Sequence, residues 1–258
     1  MIIGAQLYTV RDFCKTTEDL AETLKKVADI GYTEVQLSGV CDYDAAWMAD
    51  QLKANGLSAS ITHFAYDRIV NDTEATIAFH KTMNTRYIGL GSIPNFKKLG
   101  GTEEVLNNFM DEIAPAVEKI HAAGLKFMYH NHNMEFLRYA DGTNVLERMC
   151  ERFPAEKYGI TLDTYWVVAG GADPVAWLPK LKGRVNCVHF KDMVYNMEDT
   201  AVRMAPIGWG NMNYPAILKA CVDSDVEVAY IEQDRCYDED PFHCLKKSYD
   251  YLVAQGFH

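Results

Sequence analysis

Between Leu125 and Phe136 the chain reads LKFMYHNHNMEF, an apolar run that passes straight into two imidazoles and a carboxylate. Leu125, Phe127 and Met128 have the character of a strand, and His130, His132 and Glu135 follow where such a strand would end. The carboxyl ends of strands are where α/β proteins set their chemistry. Taken alone, the segment is equally well read as a buried strand whose histidines are hydrogen-bonded in the core. Three later apolar runs end in the same kind of group: Asp163 in ITLDTYW, His189 in CVHFKD and Glu232 in YIEQD. Any one of these could be a cap or an ion-paired residue. Together, Glu135, Asp163, His189 and Glu232 form a mostly oxygen donor set. Such a set suits a divalent ion, Mn²⁺ or Mg²⁺ first and Co²⁺ or Zn²⁺ as further options, and leaves coordination positions for substrate or water.

The elements that must position these residues alternate. Ile2 to Tyr8 reads as a strand, and Thr16 or Thr17 caps a helix with Leu20, Leu24, Val27 and Ala28 on one face, closed by Gly31. Strands follow at Thr33 to Leu37, Leu57 to His63, Tyr87 to Leu90, Leu125 onward, Tyr158 to Asp163, Arg184 to His189 and Glu227 to Glu232. Between them lie helical patterns, among them one from Thr102 with Leu106, Phe109, Ile113, Val117 and Ile120 in register. Two more are announced by Asp173-Pro174 and Asp240-Pro241, a capping residue followed by proline at the first helical position. A longer loop runs from His189 to Asn213. Eight strand–helix units in about 250 residues predict one domain over residues 1–258, a single (β/α)8 TIM barrel of the α/β class with right-handed crossovers.

Composition narrows the function classes. With 36 acidic and 25 basic residues the net charge is −11, which argues against nucleic acid or an anionic membrane as partner, since both are held by clustered Lys and Arg. Seven cysteines, an odd number with no CxxC spacing, suggest neither a disulfide framework nor a thiolate zinc site, and reduced thiols in the cytoplasm are the simplest expectation. The opening MIIGAQLYTVRDF has neither a basic n-region nor a long apolar core, and no apolar run is long enough to span a bilayer. A soluble cytoplasmic protein is therefore expected. GxGxxG, P-loop and GxSxG patterns are absent, so dinucleotide, nucleotide and serine-hydrolase chemistry have no local support.

The segments QLYTVRD, YHNHNMEF, LDTYW, HFKD, PIGWGNMNYP and IEQD, spread over essentially the whole chain, resemble the xylose isomerase-like TIM-barrel family of sugar phosphate isomerases and epimerases. That family also includes ketose 3-epimerases, inosose dehydratases and the barrel endonucleases of base-excision repair. Its usual Glu, Asp, His, Glu metal set maps onto Glu135, Asp163, His189 and Glu232. One departure stands out: in ketose 3-epimerases the first glutamate sits on the fifth strand itself, near the position His130 takes here, which leaves His130 as a rival ligand.

The resemblance implies a metal-dependent isomerase or epimerase of a sugar, keto-sugar or polyol. In its mechanism a glutamate removes a proton beside a carbonyl and the metal stabilises the resulting enediolate. Glu232 would be the base and Glu135 its partner across the sugar. His63, His130, His132, Lys191 and Trp209 would line the substrate pocket, and Arg203 and Arg235 are further candidates for reading anions. Each has a plainer role open to it: a hydrogen-bonded core histidine, a Lys191–Asp192 pair, or a packed loop tryptophan. The alternative activity is a lyase or dehydratase that begins with the same proton abstraction, or a barrel that needs a partner subunit to turn over. An endonuclease would need more metal ligands and a basic face. The family also implies pairing of copies into a homo-oligomer.

Overall fold

A computed structural model describes residues 1–258. Eight parallel strands form the barrel wall: β1 Ile2–Gln6, β2 Val35–Gln36, β3 Ile61–His63, β4 Tyr87–Leu90, β5 Lys126–His130, β6 Tyr158–Asp163, β7 Cys187–Phe190 and, after an antiparallel hairpin of β8 Asp192–Asn196 and β9 Ala201–Ala205, β10 Val228–Ile231. Their order is β2-β1-β10-β7-β6-β5-β4-β3. The seam between β2 and β3 is closed by the parallel bridges Glu34–Ser58 and Leu37–Thr62, with His63 N donating to Leu37 O at 2.9 Å. The chain is thus a (β/α)8 TIM barrel, as its alternation predicts.

The strands are short, β-branched and aromatic, and buried on both faces, as a parallel wall covered by helices requires. Around them the helices present one apolar stripe. In the helix Glu103–Ala122 it consists of Leu106, Phe109, Met110, Ile113, Val117 and Ile120, all buried, and the helix starts on Thr102, whose side chain accepts from Val105 N. Thr16 caps the helix Thr17–Ile30 in the same way, and Gly31 ends it at φ 123°. Below the mouth the barrel is plugged by Ile61, Tyr87, Met128, Cys187, Val228 and Tyr230, packed as a separate buried cluster. Gly159 makes room for this plug, since a Cβ there would lie 2.2 Å from the Met128 sulfur.

Two features of the long His189–Asn213 segment differ from a plain loop. It folds back as the β8–β9 hairpin, paired from Asp192–Ala205 to Asn196–Ala201. The Asp192 carboxylate then accepts four backbone N–H groups, from Met193, Gly208, Gly210 and Met212, at 2.8–3.1 Å. Gly210 has no side chain because a Cβ would meet Asp192 Oδ1 at 2.3 Å. Asp192 therefore anchors the loop to the barrel, and Lys191 is left to pair elsewhere. No helix is long and apolar enough to cross a membrane.

Candidate metal and substrate site

Strand register brings the polar residues to one end. Asp163 closes β6 directly opposite His189 on β7, His130 closes β5 opposite Thr161, and Glu232 follows β10 next to Ile231, which pairs with Phe190. His130, Asp163, His189 and Glu232 are all buried, with one donor atom from each lying within 4.8 Å of every other. His130 Nε2 is 3.2 Å from Asp163 Oδ2, and His189 Nδ1 is 2.9 Å from Glu232 Oε2 and 3.8 Å from Asp163 Oδ2.

The outer nitrogens of the two imidazoles set their tautomers. His130 Nδ1 faces Gly91 O at 3.1 Å and His189 Nε2 faces Gln36 Oε1 at 2.5 Å; both oxygens only accept, so both outer nitrogens carry hydrogen. The inner nitrogens then present lone pairs to carboxylates, acceptor against acceptor. A proton can relieve one such contact. Burial opposes the protonated form of His130, but the hydrogen bond and charge of Asp163 outweigh it and hold this imidazole above its ordinary pKa. Burial, with His130 as a like-charged neighbour, pushes His189 well below its ordinary value. The His189 Nδ1–Glu232 Oε2 contact therefore keeps an imidazole lone pair against a carboxylate oxygen: His189 Nδ1 has no hydrogen-bond partner, while Glu232 Oε2 is met by the Lys191 ammonium at 3.0 Å. The four residues would offer a divalent cation two nitrogen and two oxygen donors, and the far-side contacts of the two imidazoles are of the kind that metal-bound histidines usually make.

Glu135, expected in the metal set, lies elsewhere. The turn Met134–Phe136 carries its side chain back beneath the strand, where it accepts from the Tyr129 hydroxyl and, at 2.7 Å, from His132 N. It is fully buried, and burial raises its pKa. Its position braces the Asn131–Asn133 loop, and His130, the rival, stands in the cluster instead.

Lys191 enters the same cluster. Its Nζ is 3.0 Å from Asp163 Oδ2, Glu232 Oε2 and Asp234 Oδ1, and the residue is only 2% exposed. Burial disfavours the ammonium, but the three carboxylates more than offset it and keep Lys191 charged. Burial and the neighbouring Glu232 push the Asp234 carboxyl up to about 6.

A cavity of ≈ 660 Å³ opens onto this cluster. Of the expected substrate residues, His63, His130, His132 and Lys191 line it together with Glu232. Trp209 does not: it is 61% exposed and lies under Lys247, 4.2 Å from its ring centroid. The tryptophan of the cavity is Trp166, beside Tyr165, on the short helix Thr164–Ala169 capped by Asp163. LDTYW already held that signal, because a helix starting on a site aspartate turns its first residues over the mouth. Tyr8, Arg11, Asp234, Arg235 and Tyr237 also line the cavity. Tyr8 and Arg11 stand in QLYTVRD and Asp234 in IEQD, motifs that mark these loops but not which side chains point inward. The buried atoms His63 Nε2, His132 Nδ1 and Trp166 Nε1 have no partner in the protein.

Barrel and site together define a known class. Residues 24–241 match the model of the xylose isomerase-like TIM barrel family, and the chain belongs to that family. Over 163 residues it is 26% identical to inosose dehydratase 1 of Bacillus cereus, covering 60% of this chain and 52% of that protein, so the match spans about half the relative's length. A sugar phosphate isomerase/epimerase from Parabacteroides distasonis ATCC 8503 has the same fold, with a TM-score of 0.81 at 22% identity over 98% of this chain and 93% of that one. An L-ribulose 3-epimerase gives 0.75 at 17% identity over 98% and 94%. At these identities the structural likeness establishes the fold.

Proposed function

We propose that the barrel is a divalent-metal-dependent sugar isomerase or epimerase, with His130, Asp163, His189 and Glu232 as metal ligands and Mn²⁺ as the preferred ion. The observation that carries this reading is the buried cluster of four donors, in which the His189 Nδ1 lone pair lies 2.9 Å from Glu232 Oε2 with no hydrogen-bond donor of its own. When bound there, the ion supplies Lewis-acid polarisation of a sugar carbonyl. Two carboxylates and two imidazoles suit Mn²⁺, Zn²⁺ and Co²⁺ better than Mg²⁺, which prefers an all-oxygen shell.

The chain's own residues do the rest. Glu232 removes the proton on the carbon beside the carbonyl, and Lys191 meets the negative charge that develops on the sugar oxygen. Asp234, with its raised pKa, takes the second proton-handling role that the buried Glu135 cannot fill. His63 Nε2, His132 Nδ1 and Trp166 Nε1 offer partners for hydroxyls, and Tyr165 and Trp166 cover an apolar sugar face. The protein works in the cytoplasm in this reading.

A dehydratase or lyase is the second reading, favoured by the similarity to an inosose dehydratase. Proton abstraction by Glu232 would be followed by loss of a hydroxyl protonated by Asp234. Incubation with Mn²⁺ and a panel of keto-sugars in D₂O tests both. An epimerase or isomerase washes deuterium into the carbon beside the carbonyl, whereas a dehydratase yields an unsaturated product. Glu232→Gln should show neither exchange nor product. Product formed without exchange, carrying a donor-carbon deuterium to its neighbour, would identify a hydride shift and remove Glu232 as base.

A further inference from the structure

The two arginines singled out as anion readers have different surroundings. Arg203 Nε is bonded to Asp199 at 2.6 Å, and its guanidinium lies 4.7 Å from the Tyr237 ring centroid, so it is already engaged. Arg235, one residue beyond Asp234, is exposed, and its guanidinium has no hydrogen bond, ion pair or ring contact, alone among the nine arginines of the chain. Arg11 has no carboxylate either. Its guanidinium donates to Tyr8 O at 2.7 Å and lies 4.2 Å from the Tyr8 ring centroid.

Both side chains line the main cavity, and both line an adjoining hollow of ≈ 380 Å³ that shares Asp234 and Tyr237 with it. The acidic groups around that hollow are each paired with a lysine and not with either arginine: Asp12 with Lys15 at 3.1 Å, Glu239 with Lys247 at 3.1 Å, and Asp234 with Lys191 at 3.0 Å, an ammonium that it shares with Asp163 and Glu232. In a chain with net charge −11, two guanidiniums without a carboxylate partner therefore line the same two adjoining hollows. Their planar forks match the oxygens of a carboxylate or phosphate, and in an overall negative field a local positive spot beside the cavity draws an anion in.

We infer that Arg11 and Arg235 form an anion subsite for a carboxylate or phosphate carried by the substrate, where the main cavity meets the adjoining hollow. The assignment to the substrate rests on the sugar reading of the main site. The subsite itself requires neither metal nor turnover.

Calorimetric titration of the EDTA-treated protein at low ionic strength tests it, with inorganic phosphate, glucose 6-phosphate, glucuronate and glucose as probes. Saturable binding of phosphate, glucose 6-phosphate or glucuronate is expected, with glucose at least about tenfold weaker. Arg235→Gln and Arg11→Gln should each weaken the anion about tenfold or more. Arg152→Gln, which alters a surface arginine paired with Asp111, should leave binding unchanged. Tighter binding of glucose 6-phosphate than of glucuronate assigns a phosphate ester, and the reverse order a sugar acid. Absence of saturable anion binding, or binding unmoved by Arg235→Gln in a protein that melts like the wild type, would overturn the subsite. Repeating the titration in Asp163→Ala separates this outcome from the metal reading, because the subsite should survive loss of the metal ligands.

Discussion

His130 and Glu135 stand five residues apart, and the fold gives them opposite tasks. A buried imidazole faces the carboxylate cluster, and a buried carboxylate holds a tyrosine hydroxyl and a backbone amide behind it. Metal analysis after Mn²⁺ loading should therefore find His130→Ala, Asp163→Ala and His189→Ala empty. Glu135→Gln should stay loaded but lose about 1–3 kcal/mol of stability by disturbing two buried hydrogen bonds. Full occupancy in Asp163→Ala, or an empty Glu135→Gln, would reverse the assignment. Lys191 gives a sharper contrast. Its ammonium, 3.0 Å from two proposed ligand oxygens, opposes a second cation at the same place. Lys191→Met should tighten Mn²⁺ binding about tenfold or more while lowering sugar turnover about 100-fold. A variant that loses metal and activity together would make Lys191 a structural support only.

Among the elements, the helix Thr73–Thr82 carries a titratable group that is not part of the cavity lining. His80 is buried, with Nδ1 at 2.7 Å from Thr76 O and Nε2 at 2.8 Å from Thr62 Oγ1, and so ties this helix to β3. Burial lowers its pKa to about 4, from an unfolded value near 6.5. Between those values the unfolded chain binds the proton and the folded one does not. Stability from neutral His80 is therefore fully present above about pH 6.5 and is lost as pH falls toward 4, by up to about 3 kcal/mol. Urea unfolding at pH 7 and pH 5 should show that loss in the wild type and a smaller one in His80→Gln. Equal losses would mean that His80 already titrates normally in the folded state. The β8–β9 hairpin shows the same dependence on a single group, since four N–H donors converge on Asp192 to hold the segment that leads to Trp209 away from the mouth.

At the scale of the molecule, a barrel that gathers four buried donors should be stabilised by an ion that binds them. Mn²⁺ at a hundredfold excess over its Kd should add about 2.7 kcal/mol, which for a chain of this size raises Tm by about 5–10 °C. The rise should vanish in Asp163→Ala. A similar rise in that variant would place the ion elsewhere. The excess of acidic groups, 36 against 25 basic, adds a long-range attraction for cations that weakens with salt.

Eight strands, their order of alternation with helices, and the strand ends that carry Asp163, His189 and Glu232 were legible in the chain itself. Apolar periodicity and capping residues such as Thr16, Thr102 and Asp173 are local, and they act over a few neighbours. The direction of a side chain beyond a strand end is not local. Whether His130 or Glu135 enters the cluster depends on the turn at Met134–Phe136 and on Tyr129 offering Glu135 a hydroxyl, a match made only once the barrel has closed. The same holds for Trp166 over Trp209, decided by Asp163 capping one helix and Asp192 anchoring the other loop. Gln36, which orients His189 from β2 across 153 positions of sequence, carries no motif at all. Spacing along the chain sets which residues can reach the mouth, and only long-range packing decides which of them turn into it.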